Sequence, residues 1–223
     1  LHTMRTTYSF LVLLAASTSL CLAQEAKPKL DAPNLDDAKI RATVEAKALD
    51  AHQVESRMED GQSLVYSLKT QKPYTGWAKA YHGNGVLKFL GSVKDGKPHG
   101  LVITFYENQQ KKSQYHYRNG MAQGLTRAWY WGGQIQEKAE LKDDVVNGLN
   151  TTWHENGQKM SEGKYQDGLQ QGPHTKWYEN GQKAHEFNYK DGMFHGLNTK
   201  WDKEGNITSQ AKYQIDTKVE TIK

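Results

Sequence analysis

Gly172-Pro173-His174-Thr175-Lys176-Trp177-Tyr178-Glu179-Asn180-Gly181-Gln182-Lys183 is the stretch that decides the fold. It opens on a glycine, places an aromatic five positions on, and carries Asn-Gly before a lysine. Stepping outward by 24 residues finds the same glycine at Gly76, Gly100, Gly124, Gly148 and Gly196. The aromatic column follows in step as Tyr81, Phe105, Trp129, Trp153, Trp177 and Trp201, and a second column runs Val93, Tyr117, Leu141, Tyr165, Tyr189 and Tyr213. A fixed period of this length marks an array whose units bury apolar surface by stacking on their neighbours.

Side-chain parity resolves each unit into strands. After Gly148, the residues Leu149, Thr151 and Trp153 alternate with Asn150, Thr152 and His154, the period of a half-buried strand. Asn-Gly at 156–157 and 180–181 is a hairpin signal, read here as a turn whose two central residues both take positive φ. The returning strand holds Gly163 and Tyr165, Phe187 and Tyr189, Ala211 and Tyr213, expected on the same inward face as the tryptophans. Asp-Gly at 95–96, 167–168 and 191–192 closes the unit. Because the period is even, no unit flips its faces. The expected fold is mainly β: an elongated array of antiparallel β-hairpins over 62–223, with units starting at 76, 100, 124, 148, 172 and 196 and Trp129, Trp153, Trp177 and Trp201 as a buried column. About twelve strands at roughly 4.8 Å each make a stack on the order of 55–60 Å long.

The 172–183 stretch, with the closing Tyr189-Lys190-Asp191-Gly192-Met193-Phe194-His195-Gly196, resembles the bacterial variant of the MORN repeat. The lead-in Lys72-Pro73-Tyr74-Thr75-Gly76 resembles the usual opening of such arrays. Proteins of this kind are often labelled YwqK-like antitoxins. The resemblance implies a hairpin array that mediates contacts, with no catalytic residue set to carry over. Two units depart from it. Trp131-Gly132-Gly133 replaces Glu-Asn-Gly and Asp143-Asp144 replaces Asp-Gly in the third, while Asn108-Gln109 stands for Asn-Gly in the second. Different turns are expected there.

Ahead of the array, residues 1–23 read as an export signal: Arg5, then the apolar run Phe10 to Ala16, then Cys21-Leu22-Ala23 before a cut at Gln24. A lipid on Cys21 is the competing reading, disfavoured by Leu20, where such signals have a small residue. Residues 24–33 form a polar, proline-bearing linker. An amphipathic helix is expected over 34–60, capped by Asn34 or Asp36, with Ile40, Val44, Ala48, Ala51, Val54 and Met58 on one stripe and Gly61 ending it. It is expected to dock on the array and cover its first edge strand.

Charged residues make up 24% of the 223 and the net charge is +4, with acids and bases interleaved, so nucleic acid is not an implied partner. Removing the signal removes the chain's one cysteine, and with it disulfides and thiol chemistry. No Gly-x-Ser-x-Gly elbow, His-x-x-x-His motif or phosphate-binding loop occurs, so no catalytic residue, metal or cofactor is assigned. The nine histidines recur by position, His82 with His154 and His99 with His195, as structural residues do. Turn carboxylates Glu107, Glu155 and Glu179 read as solvated. The best binding lead is the row six past each glycine: His82, Tyr106, Tyr130, His154 and Tyr178, pointing away from the tryptophans. The competing account is that this row packs on the sheet's own turns. The function expected is a non-catalytic exported scaffold in the cell envelope, periplasm or medium, contacting another protein. A toxin partner, or an envelope glycan or lipid, are the alternatives, with no membrane-spanning segment in the mature chain.

Overall fold

The structure, a computed structural model, describes residues 33–223. The export signal and all but the last residue of the linker lie outside that range. The first elements are a helix α1 (Ala38–Lys47), a two-residue strand β1 (Leu49–Asp50), one 3-10 turn (Ala51–Gln53) and a hairpin of β2 (Val54–Glu59) with β3 (Gln62–Ser67). The helix is therefore less than half the length expected. Its cap is Asp37, whose Oδ1 accepts from the Lys39 and Ile40 amides at 2.8 and 3.2 Å. What reads as a continued apolar stripe is a strand, and Asp60-Gly61 is its turn rather than a helix stop. Both residues take positive φ, 48° and 74°, as a two-residue hairpin requires.

From Gly76 the chain forms one antiparallel meander in sequence order. Outgoing strands end at the aromatic column (Gly76–Tyr81, Lys97–Phe105, Gly124–Trp129, Val145–Trp153, Leu169–Trp177, Gly196–Trp201). Returning strands are Leu87–Lys94, Lys111–Arg118, Ile135–Lys142, Lys159–Gln166, Lys183–Lys190 and Ile207–Gln214, and a last strand, Thr217–Thr221, closes the sheet. The first edge is covered by β1, paired in parallel through Leu49 with Ala78 and Asp50 with Lys79. The helix, expected on that edge, lies on a face instead.

Pairing register corrects the expected faces. Gly163 sits opposite Asn150, and Glu162 opposite Thr151. The returning columns of Gly163 and Tyr165 therefore share a face with Asn150 and Thr152, not with Leu149 and Thr151. Period two fixes alternation within one strand; which parities of two strands share a face depends on the turn between them. Here each turn has a three-residue loop. His154 N–H donates to the Gln158 carbonyl at 2.8 Å, and of the loop residues only Gly157 has positive φ, 85°. A bulge follows: Thr152 pairs with Ser161 but Trp153 with Lys159, leaving Met160 extra. The slip recurs at the same place in all six units. The departures in units two and three do not change the turns. Gln109 takes φ 70° where glycine stands elsewhere, and Asp143 and Asp144 take 50° and 66°. The repeat glycine belongs to a second bulge, between the pairs Gly163–His174 and Lys164–Gln171, where Gly172 has φ 68°.

The core is at one end. On the face bearing Leu101, Ile103 and Phe105, the segment Leu35 to Ala48 covers units one and two, burying Leu90 and Ile103 completely. On the other face Val54 and Val65 of the β2–β3 hairpin cover Phe89, Val93, Val102 and Tyr117. From unit three onward neither element covers the sheet. There Trp129, Trp153, Trp177 and Trp201 are half-buried, not the buried column expected.

Ile103→Ala is expected to cost about 2–5 kcal/mol, the range for an emptied aliphatic core site. Leu149→Ala, 43% exposed on the same face, should stay within about 0.5 kcal/mol. Urea unfolding of the two variants measures both, and equal losses would mean the core runs the length of the array.

Candidate binding surface

The row singled out from sequence has a job within the array. Each +6 side chain reaches the backbone carbonyl of the aromatic column one unit on. The Tyr106, Tyr130 and Tyr178 hydroxyls donate to the carbonyls of Trp129, Trp153 and Trp201 at 2.9, 2.7 and 2.8 Å. His82 and His154 meet those of Phe105 and Trp177 through Nε2 at 2.9 and 3.0 Å. Tyr and His are interchangeable here because either places a polar tip within reach of that carbonyl. All five side chains are half-buried, in keeping with the competing account that this row packs within the array.

Two further ladders run beside this clasp. The turn asparagines Asn108, Asn156 and Asn180 donate to the carbonyls of Trp131, Glu179 and Lys203 at 2.8, 2.8 and 2.9 Å. Their own Oδ1 atoms accept from the amide two residues on, which holds the turn. At the opposite edge the amides of Gly96, Gly120, Gly168 and Gly192 bond back to the preceding unit at 2.8–3.0 Å. Glu107 and Glu179 lie within these turns and contribute carbonyls; the Glu107 carboxylate lies 3.8 Å from the His82 ring.

Beyond unit two the tryptophan face lies open. Leu125, Leu149 and Leu197 are 38%, 43% and 41% exposed, whereas Leu101, in the same column beneath the helix segment, is 5%. Lysines lie over the rings: Lys111 over Trp129, Lys138 over Trp153, Lys159 over Trp177 and Lys183 over Trp201, at 5.3–5.8 Å from the centroids. Sequence reasoning placed this face inward, with Leu149 on it, and did not read its leucine column and lysines as a surface for a partner. The signal was present in the recurrence of Leu one residue after four of the glycines.

The opposite face carries an aromatic run held by ring-to-ring contacts. The His174 ring lies edge-on between Tyr165 and Tyr189, 5.0 and 5.2 Å away, and Phe194 bridges Tyr189 to Tyr213. Gly163 makes this possible, since a Cβ there would run into the His174 ring. Burial pushes the Tyr117 hydroxyl well above its ordinary range. Burial, then Lys200 and Lys176, push His185 below the usual imidazole value. At the helix contact, burial and the Glu45 carboxylate push Tyr81 up to about 12. Among the described residues no group of three or more His, Cys, Asp or Glu side chains is placed to hold a metal ion. No helix among them is long and apolar enough to cross a membrane.

Three of the six units match the MORN repeat variant. The matched residues are 98–119, 146–167 and 170–191, each running from two before the repeat glycine to nineteen after it. Units two, four and five thus carry the MORN-variant pattern, while the third, with Trp131-Gly132-Gly133 in its turn, falls outside it. MORN repeats are in general interaction repeats. No curated protein matches the chain.

Tyr106→Phe, Tyr130→Phe and Tyr178→Phe each keep the ring and remove one clasp. Each is expected to cost about 0.5–1.5 kcal/mol in urea unfolding, the net worth of a hydrogen bond. Three neutral substitutions would mean that ring packing alone joins the units.

Proposed function

We propose that this protein is a non-catalytic, exported scaffold that binds another protein through the tryptophan face of units three to six. One observation carries the reading. The columns that unit two buries beneath Leu35 to Ala48 continue uncovered for four more units, with aliphatic and indole surface exposed in register. A contiguous apolar strip with a polar rim is how protein interaction sites present themselves. The +6 row is bonded into the array and supports this face from behind its edge. Export rests on the pattern of residues 1–23.

A variant carrying Leu125→Ser, Leu149→Ser and Leu197→Ser should fold, since exposed positions shift stability by about 0.5 kcal/mol each. In capture from envelope extract it should lose its partner by about tenfold or more, the equivalent of ~1.4 kcal/mol. A folded variant that still captures the partner overturns the assignment of this face. If changing Tyr106, Tyr130 and Tyr178 to Ser leaves a folded array that captures nothing, the +6 row is the binding site instead.

Mature protein from its source is expected to begin near Gln24, read by amino-terminal mass spectrometry. A diacylated Cys21 at that terminus would make it a membrane-anchored lipoprotein.

A further inference from the structure

The chain itself shows what its tryptophan face can hold. Across units one and two that face carries α1 and its flanks, and the contacts fix how the helix lies. Asp36 pairs with Lys111 on the Lys111–Arg118 strand. The Arg41 guanidinium sits 5.6 Å over the Phe105 ring on the Lys97–Phe105 strand. Glu45 accepts from the Tyr81 hydroxyl at 2.8 Å, and its carbonyl from Lys79 at 3.0 Å, on the Gly76–Tyr81 strand. Asp36 stands just ahead of the Asp37 cap, and from that cap to Glu45 is eight residues, about 12 Å at the helical rise of ~1.5 Å. The Gly76–Tyr81 and Lys111–Arg118 strands stand three spacings apart in the sheet, about 14 Å at ~4.8 Å each. The helix therefore runs across the strands. One unit, about 9.6 Å, takes up roughly six to seven helical residues, close to two helical turns.

We infer that units four to six bind a second helix in this pose, an acidic amphipathic helix supplied by a partner protein. This rests on the protein-binding reading above and names the partner's chemistry. The equivalents of Leu101 are Leu149 and Leu197, both exposed, with Pro173 between them. The equivalents of Phe105 are Trp153, Trp177 and Trp201. The charge to be matched is also known from the covered units. Lys111, which receives the carboxylate of Asp36, recurs eleven after the glycine as Lys159 and Lys183. Without a helix above them these two lysines are about half exposed and lean on Glu162 and Glu186 of their own strands. Lys164 and Lys212 stand cross-strand from Leu149 and Leu197, so both leucines are flanked by ammonium groups. The rim is net basic, with Lys159, Lys164, Lys183 and Lys212 against Glu162, Glu186 and Glu220, the last cross-strand from Lys212. A partner helix then needs an aliphatic side chain every six or seven residues to meet successive units, and carboxylates beside them. The exposed ion pairs set register and choice of partner more than affinity, which comes from leucine and indole burial.

The test uses the intact protein and a synthetic helical peptide of about 20 residues, long enough for three units. Its sequence places Leu at the i, i+3 and i+7 positions and Glu elsewhere. Tryptophan fluorescence and calorimetry are expected to show saturable one-to-one binding. A shuffled peptide of the same composition, and one with Lys for every Glu, should bind about tenfold more weakly or worse. Leu149→Asp with Leu197→Asp should weaken binding by a similar factor; Leu149→Ser with Leu197→Ser is the gentler pair if circular dichroism shows the first unfolded. Lys159→Glu with Lys183→Glu should turn preference toward the lysine peptide. Equal binding of the shuffled peptide, or undiminished binding by the folded leucine variants, overturns the proposal. So does leucine-dependent binding to phosphatidylglycerol vesicles in place of the peptide, which would make this a lipid-facing surface. If the peptide fails while partner capture still depends on Leu149 and Leu197, the helix falls and the protein-binding face stands.

Discussion

The array depends on a hydrogen bond that spans 23 residues of sequence and one unit of structure. Beyond unit two the sheet has no second layer against which to bury itself, so strand pairing alone leaves those hairpin turns unsupported. The +6 tyrosine or histidine answers this by anchoring the end of one unit to the aromatic carbonyl of the next. That bond is also why the period is held without a slip. An inserted residue between Tyr106 and Trp129 would separate donor from acceptor and move the Asn108 rung with it.

This construction distributes stability unevenly. Units one and two are packed on both faces, by the α1 segment on one and the β2–β3 hairpin on the other, and contain the fully buried Leu90 and Ile103. Farther along, burial falls to small or polar residues such as Ala139, Thr151 and Ala184, and clasps and ladders carry more of the load. In a solenoid each unit feels only its neighbours, so the packed end acts as a seed from which order propagates. An uncovered face is the consequence, because a second covering layer would remove both the gradient and the surface.

The period, the two strands of each unit and the Asp-Gly turns were legible in the sequence because each is local or strictly repeated. The pairing of faces was not. It depends on a bulge at Met160 and its equivalents Lys88, Lys112, Gln136, Ala184 and Thr208, a position with no fixed residue type. The helix was overextended for a related reason: Val54 and Met58 fit a helical stripe as readily as a strand, and only Asp60-Gly61, the same turn signal used in the repeats, distinguished them. The +6 row was found correctly as a pattern. Its role was hidden because a tyrosine that bonds 23 residues ahead and one that faces solvent have the same spacing.

Unit three shows how much departure such an array absorbs. Gly132 stands where units one, two, four and five carry asparagine, so the rung to the Glu155 carbonyl is absent. The neighbouring connections remain: Tyr130 still reaches the Trp153 carbonyl, and Asn108 still reaches that of Trp131. Trp131, in the place of a glutamate, packs its ring 5.1 Å from that of Tyr106. At the other edge Asp144 replaces glycine yet keeps the left-handed turn, and its carboxylate accepts from the Ala122 amide at 2.7 Å. The same substitution recurs at Asp216, which accepts from Phe194 at 2.7 Å. Losing glycine's freedom is thus offset by a side-chain bond that glycine cannot make. Redundancy among three ladders is what lets the turn chemistry vary while the 24-residue spacing stays fixed.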